Sequence, residues 1–107
     1  MKLNAKRILL TGAAGGIGRL LSAQLAARGA RLCLVDRDQA AVDALAIDFP
    51  AGTAMAVAGD ITRAEDRDAP VERMHEGFGG VDVLINPAGI MVGQGARIID
   101  VGGESTR

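Results

Sequence analysis

The 107-residue chain has no tryptophan and no tyrosine, and its only aromatic residues are Phe49 and Phe78. So few rings leave almost nothing on which nucleobases could stack. A near balance of 12 basic and 13 acidic residues removes the electrostatic case for nucleic acid or an anionic membrane as partner. No run approaches the roughly 20 apolar residues of a membrane span. The start, Met1 to Arg7, leads into a strand pattern rather than a signal core, so a cytoplasmic location is expected. One cysteine, Cys33, excludes an internal disulfide, and its apolar neighbours predict a buried, inert thiol. One histidine, His75, leaves Ser105 and Thr106 without a base and the carboxylates without a second imidazole for a metal. His75, with Glu65, Asp66, Asp68 and Glu72, is expected on a solvated helix face.

What remains is ordinary for a folded chain: 49% hydrophobic and 23% charged residues, a length suited to one domain, and 15 glycines in telling places. Strand and helix patterns alternate throughout, the signature of an α/β, Rossmann-like doubly wound parallel sheet. Strands are predicted near 6–11, 31–35, 54–58, 81–85 and 97–101. The first helix, near 16–28, places Ile17, Leu20, Leu21 and Leu25 on one face and stops at Gly29. A second, near 38–48, starts at a capping Asp38 and buries Val42, Leu45 and Ala46. In the third, near 64–77, Pro70 is expected to begin the ordered part, with Val71, Met74 and Phe78 facing the sheet. Only about 11 residues join the fourth and fifth strands, a short crossover for a parallel sheet, so a helix of two turns over 88–94 is expected there. Apolar sheet surface left open at that joint would favour a homodimer.

The first strand, Arg7-Ile8-Leu9-Leu10, runs straight into Thr11-Gly12-Ala13-Ala14-Gly15-Gly16-Ile17-Gly18. Clustered glycines between a strand and a helix let bare N–H groups approach a pyrophosphate. Gly12 suits the sharp turn, Gly16 permits close approach, and Gly18 lets the helix pack on the sheet. Gly12, Ala14, Gly15, Gly16, Ile17 and Gly18 are therefore candidate cofactor-binding residues. A turn that binds nothing can have the same composition, so a second signal is needed. About 18 residues beyond Gly18, the run Leu32-Cys33-Leu34-Val35 ends in Asp36, where a carboxylate can accept from both hydroxyls of an adenosine ribose. The same charge would repel the extra phosphate of NADP, which makes NAD the favoured cofactor. Arg37 pulls the other way, because a guanidinium suits a ribose phosphate, so NADP stays as the less favoured partner.

These residues, with Gly59-Asp60-Ile61-Thr62 and Val81-Asp82-Val83-Leu84-Ile85-Asn86-Pro87-Ala88-Gly89-Ile90, resemble the N-terminal half of a short-chain dehydrogenase/reductase over residues 5–90. The family's T-G-x-x-x-G-x-G turn is matched in full, and its N-N-A-G segment is present as Asn86-Pro87-Ala88-Gly89, with proline in the second place. The resemblance implies that Asp60 and Ile61 lie against an adenine and that Asn86, Ala88 and Gly89 belong to the cofactor site. It also implies a catalytic tyrosine, aided by a lysine and a serine. No tyrosine is present and lysine occurs only at Lys2 and Lys6, so no catalytic residue is assigned and turnover is not expected.

Residues 91–107 look different. Gly95-Ala96-Arg97-Ile98-Ile99-Asp100-Val101-Gly102-Gly103-Glu104-Ser105-Thr106-Arg107 is similar to the second-strand signature of dihydropteroate synthase, which implies contact of Thr106 and Arg107 with a pterin pyrophosphate. The rest of such a barrel is missing from these residues, and no synthase activity is read from them. The polar order of Asp100–Arg107, which strand formation does not require, favours a fusion junction near residue 90 within a single 1–107 domain over convergence on a strand pattern, and in either case a fifth strand is expected. Three functions therefore stand open: a truncated dinucleotide-binding module, an oxidoreductase completed by another chain, and a fragment that keeps only the fold.

Overall fold

The computed structural model describes residues 3–60 and 63–87. Strand β1 (Arg7–Thr11) leads to helix α1 (Gly16–Ala27), β2 (Arg31–Asp36), α2 (Gln39–Ile47), β3 (Ala54–Ala58), α3 (Ala64–Phe78) and β4 (Val83–Ile85). The four strands form one parallel sheet in the order β3-β2-β1-β4. From β1 the chain builds outward through β2 and β3, then returns across β1 to place β4 on its other side. That reversal lies between β1 and β4, and in open parallel sheets such a switch point opens a crevice at the carboxyl ends of the strands.

Alternation along the strands gives the sheet two apolar faces. Ile8 and Leu10 of β1, Leu32 and Leu34 of β2 and Ile85 of β4 point toward Val42 and Leu45 of α2 and the half-buried Leu21 and Leu25 of α1. Leu9, Cys33, Val35 and Val57 point the other way, toward Met74 and Phe78 of α3. Helices thus cover both faces, as the alternating pattern predicts.

The helix ends follow their local chemistry. Asp38 caps α2 by accepting a hydrogen bond from the Ala41 amide at 3.1 Å. Gly29, at φ 93°, takes the left-handed conformation that lets the chain leave α1.

Three expectations about faces need correction. Leu20 is 60% exposed, because the buried stripe of α1 runs through Gly18 and Ser22, and Leu20 is two residues, about 200° of helix rotation, from each. Pro70 does not begin the third helix. The helix already runs from Ala64, and Pro70 sits inside it, fully buried. Its ring forgoes the amide bond to the carbonyl four residues earlier, a cost offset here by packing against the sheet. Val71 is 38% exposed rather than packed, since the sheet-facing positions of α3 are Pro70, Met74 and Phe78. The fifth strand at 97–101, the short helix at 88–94 and the whole 91–107 stretch lie outside the described residues.

β4 is shorter than expected, starting at Val83 opposite Ile8. Just before it, Asp82 is engaged by Arg7 in a two-pronged ion pair, Nη2 to Oδ1 at 2.8 Å and Nε to Oδ2 at 2.9 Å. The Arg7 amide also donates to Oδ2, and the Asp82 amide donates back to the Arg7 carbonyl at 2.8 Å. Residues 75 apart in sequence are thereby clamped at the amino ends of β1 and β4. The guanidinium and amide of Arg7 hold the Asp82 carboxyl well below the usual carboxylate range. A carboxyl depressed in the folded state stabilises the fold above its unfolded titration and loses that contribution as pH falls toward its folded value. Asp82→Asn is therefore expected to lower the melting temperature near neutral pH, with the gap to the parent protein closing below about pH 4. Thermal denaturation across pH measures this; a gap that stays constant into acid contradicts it.

Candidate functional site

The chain leaves β1 through Gly12 at φ 63°, a conformation that side-chain-bearing residues rarely adopt. The next amides are used within the protein. Ala13 donates to the Val35 carbonyl at 3.0 Å, Ala14 to Oδ2 of Asp36 at 3.0 Å, and Gly15 to the Gly12 carbonyl at 3.1 Å. The first helical bond of α1 is donated by Arg19 to the Gly15 carbonyl. The amides of Gly16, Ile17 and Gly18 precede it and have no acceptor in the helix, and Gly15, as N-cap, offers no side chain to them. With the positive end of the helix dipole added, this is a favourable place for an anion.

The glycines of the turn do different work. A Cβ at Gly18 would fall on the Gly12 carbonyl oxygen and come within 2.7 Å of the Ala13 Cα, so α1 packs this close to β1 only because that atom is missing. A Cβ at Gly16 would meet nothing within 4 Å. Gly16 therefore borders open space beside the orphan amides, a cradle that a side chain would fill.

Asp36, half-buried at the end of β2, faces this turn. Besides the Ala14 amide on Oδ2, its Oδ1 accepts from the Asp38 amide at 3.1 Å, and its backbone carbonyl accepts from Gly59 at 2.9 Å. Arg37 follows it, exposed. Asp60 lies just past β3, where its amide donates to Oδ2 of Asp66 at 2.9 Å and its carbonyl accepts from the Arg63 amide. Asn86 directly follows β4 and accepts a 2.9 Å hydrogen bond on Oδ1 from the buried Thr11 hydroxyl. Of the expected site residues, Gly12, Ala14, Gly15, Gly16, Ile17, Gly18, Asp36, Arg37, Asp60 and Asn86 thus lie at or just past the carboxyl ends of the four strands, the last glycines in the first turn of α1. Ile61, Ala88 and Gly89 lie outside the described residues.

Thr11 and Asp66 are two supporting residues whose roles the sequence reading missed; Asp66, expected on the solvated helix face, is instead half-buried and engaged. Thr11 ties the end of β1 to Asn86, and its place as first residue of the glycine motif was the available signal. Asp66 holds the Asp60 amide from the first turn of α3, where an acidic side chain reaching back to an upstream amide is a familiar capping arrangement. Below Thr11 and Asn86, a cavity of about 360 Å³ opens between α3 and the sheet, lined by Leu9, Arg67, Pro70, Val71 and Leu84.

Other reactive groups stand apart. Burial pushes the Cys33 thiol up to about 11, so it is protonated and inert at neutral pH, as expected. His75 is exposed on α3, also as expected. Among the described residues no group of three or more histidine, cysteine, aspartate or glutamate side chains is placed to hold a metal ion. Among them, too, no helix is long and apolar enough to cross a membrane.

A parallel sheet with its switch point beside a glycine turn and an acid at the end of β2 defines a Rossmann-like α/β fold. The chain belongs to the short-chain dehydrogenase family, whose model matches residues 6–101. It is 45% identical over 92 residues to a galactitol 2-dehydrogenase of Agrobacterium fabrum, covering 84% of this chain and 35% of that protein. It is 43% identical over 89 residues to a fatty acyl-CoA reductase of Mycobacterium tuberculosis, covering 81% of this chain and 30% of that one. Among solved structures, a 3-ketoacyl-(acyl-carrier-protein) reductase from Brucella melitensis complexed with NADH superposes with a TM-score of 0.75 at 39% identity, over 78% of this chain and 34% of that one. The chain spans about a third of the length of the proteins it matches.

The contrast between two glycines gives a stability test. Gly18→Ala is expected to cost about 1–3 kcal/mol, the usual penalty for forcing an atom into a packed contact. Gly16→Val should change stability by less than about 1 kcal/mol. Denaturant unfolding of both variants decides it, and equal losses would mean that α1 does not pack on β1 through Gly18.

Proposed function

We propose that this chain forms the dinucleotide-binding part of an NAD(P)-dependent oxidoreductase, with NAD favoured over NADP. The observation that carries the reading is the Asp36 carboxylate facing a turn whose Gly16 borders open space next to three uncommitted helix amides. Those residues suit a dinucleotide: the amides of Gly16, Ile17 and Gly18 would receive the pyrophosphate and Asp36 the ribose hydroxyls. Asp60 and Ile61 would lie against the adenine, with Asn86, Ala88 and Gly89 along the remainder of the site. When bound, such a cofactor supplies or accepts a hydride. The crystallised Brucella relative, complexed with NADH, supports the same assignment.

Charge decides between the two cofactors. At 4 Å and an effective dielectric near 20, a carboxylate and one phosphate charge repel by roughly 4 kcal/mol, more than the exposed, solvated Arg37 would recover. What these 107 residues do not provide is the proton. They contain no tyrosine, and the only lysines, Lys2 and Lys6, precede β1. The proton donor of a complete enzyme would come from polypeptide beyond Arg107 or from another chain. Leu84, 54% exposed on the α3 face of β4, which lies at the edge of the sheet among the described residues, favours some covering partner there, a homodimer included. We place the protein in the cytoplasm. The likeness of residues 91–107 to dihydropteroate synthase rests on residue order alone, since the family match itself runs to residue 101, and we assign no pterin chemistry to it.

Calorimetric titration tests the reading. NADH should bind at least about tenfold more tightly than NADPH, and Asp36→Ala should weaken NADH by about ten- to a hundredfold while narrowing that gap. The chain alone should not oxidise NADH in the presence of ketones. Absence of NADH binding, or unchanged affinities in Asp36→Ala, contradicts the cofactor site; steady turnover would show that the proton donor lies within these residues.

A further inference from the structure

Four large apolar side chains are exposed among the described residues, Leu20, Ile47, Val71 and Leu84, and the last two border one cavity. That cavity, of about 360 Å³, lies between α3 and the sheet, and its lining falls into two layers. Leu9 and Leu84 stand opposite each other on β1 and β4. Two residues further along each chain segment, about 6.6 Å nearer the carboxyl edge of the sheet and on the same side of it, come Thr11 and Asn86. Helix α3 repeats the division. Arg67, Pro70 and Val71 are spaced i, i+3 and i+4 and so form one stripe. Arg67 is the member nearest the helix amino terminus, which follows the carboxyl end of β3. The base of the cavity is therefore carbon, from Leu9, Pro70, Val71 and Leu84, and its mouth is polar, from Thr11, Asn86 and Arg67.

Charge selects what such a space would take. Arg67 is the charged residue among those that line it, and no acidic side chain of the described residues does so. The Thr11 hydroxyl bonded to Oδ1 of Asn86 holds the rest of the rim in place. A guanidinium meets a carboxylate with two parallel hydrogen bonds, whereas it repels an ammonium. The base offers no polar partner and suits only hydrocarbon. If each methylene-sized group takes the ~30 Å³ that a water takes in the liquid, the volume admits roughly a dozen of them, enough for a chain of about eight carbons with its head group.

We propose that this cavity binds a small carboxylate with a short aliphatic tail, the tail between Val71, Leu9 and Leu84 and the carboxylate beside Arg67 at the mouth. The proposal goes beyond the cofactor reading and does not depend on it, although Asn86 would adjoin both ligands.

Octanoate is the probe, followed by methyl NMR of the protein without NADH. Its addition should shift the methyl signals of Leu9, Val71 and Leu84 saturably at about millimolar concentration. Octylamine should bind at least about tenfold more weakly, and Arg67→Gln should weaken octanoate about tenfold while octan-1-ol binds as before. Val71→Trp, at a partly exposed position, should fill the space and abolish binding of octanoate and octanol alike, with NADH affinity unchanged. Absence of octanoate shifts, equal affinities for octanoate and octylamine, or undiminished binding to Val71→Trp overturns the proposal. So do contacts in the ligand-free protein that put a side chain of residues 88–107, or of a second copy, inside the cavity. Failure of the parent chain to bind NADH refutes the cofactor reading alone and leaves the octanoate result standing.

Discussion

The mouth of this sheet depends on one close approach: α1 begins beside the end of β1 because Gly18 has no side chain to strike the backbone of Gly12 and Ala13. Packing at that distance sets the helix amino terminus at the carboxyl edge of the sheet. It also confines the intervening turn to a few residues, of which Gly12 must take a left-handed conformation. The amides of that turn divide into two groups. Those of Ala13, Ala14 and Gly15 brace the turn against β2, Asp36 and Gly12, while those of Gly16, Ile17 and Gly18 have no place in the helical ladder. Bracing amides and uncommitted amides thus follow one another in the same short segment.

The turn could be read from the sequence because its signals are local. Glycine at 12, 16 and 18 reflects backbone geometry within seven residues, and the apolar run ending in Asp36 announces a buried strand with an acid at its end. The capping role of Asp38, the stop at Gly29 and the burial of Cys33 are legible for the same reason. Contacts between distant segments were not. Arg7 and Asp82 are 75 residues apart, and nothing near either announces the other. Likewise Thr11 and Asn86 become partners only once the sheet order is set. Leu20 and Val71 were misplaced because helical periodicity identifies an apolar face without saying how wide a strip the sheet covers. Pro70 was misjudged because a local rule about helix starts was outweighed by tertiary packing of the surrounding helix.

Membership of the short-chain dehydrogenase family brings fold and site into register without settling the chemistry of this chain. The matched proteins are about three times as long, and among the described residues an apolar cavity and an exposed Leu84 lie beside β4, at the edge of the described sheet. Binding and proton transfer are separable physical tasks. The first needs amides, space and one carboxylate, all of which are present here. The second needs a titratable group within reach of a reacting carbonyl.

The central claim is that the amino terminus of α1 and Asp36 together receive a dinucleotide. Mapping amide chemical shifts during addition of NADH tests it most directly. The account predicts that the largest changes fall on Gly16, Ile17, Gly18 and residues 36–38, with the amino-terminal strand residues Arg7 and Ile8 unmoved. Changes centred on the outer face of α2 or α3, or none at saturating NADH, would contradict it.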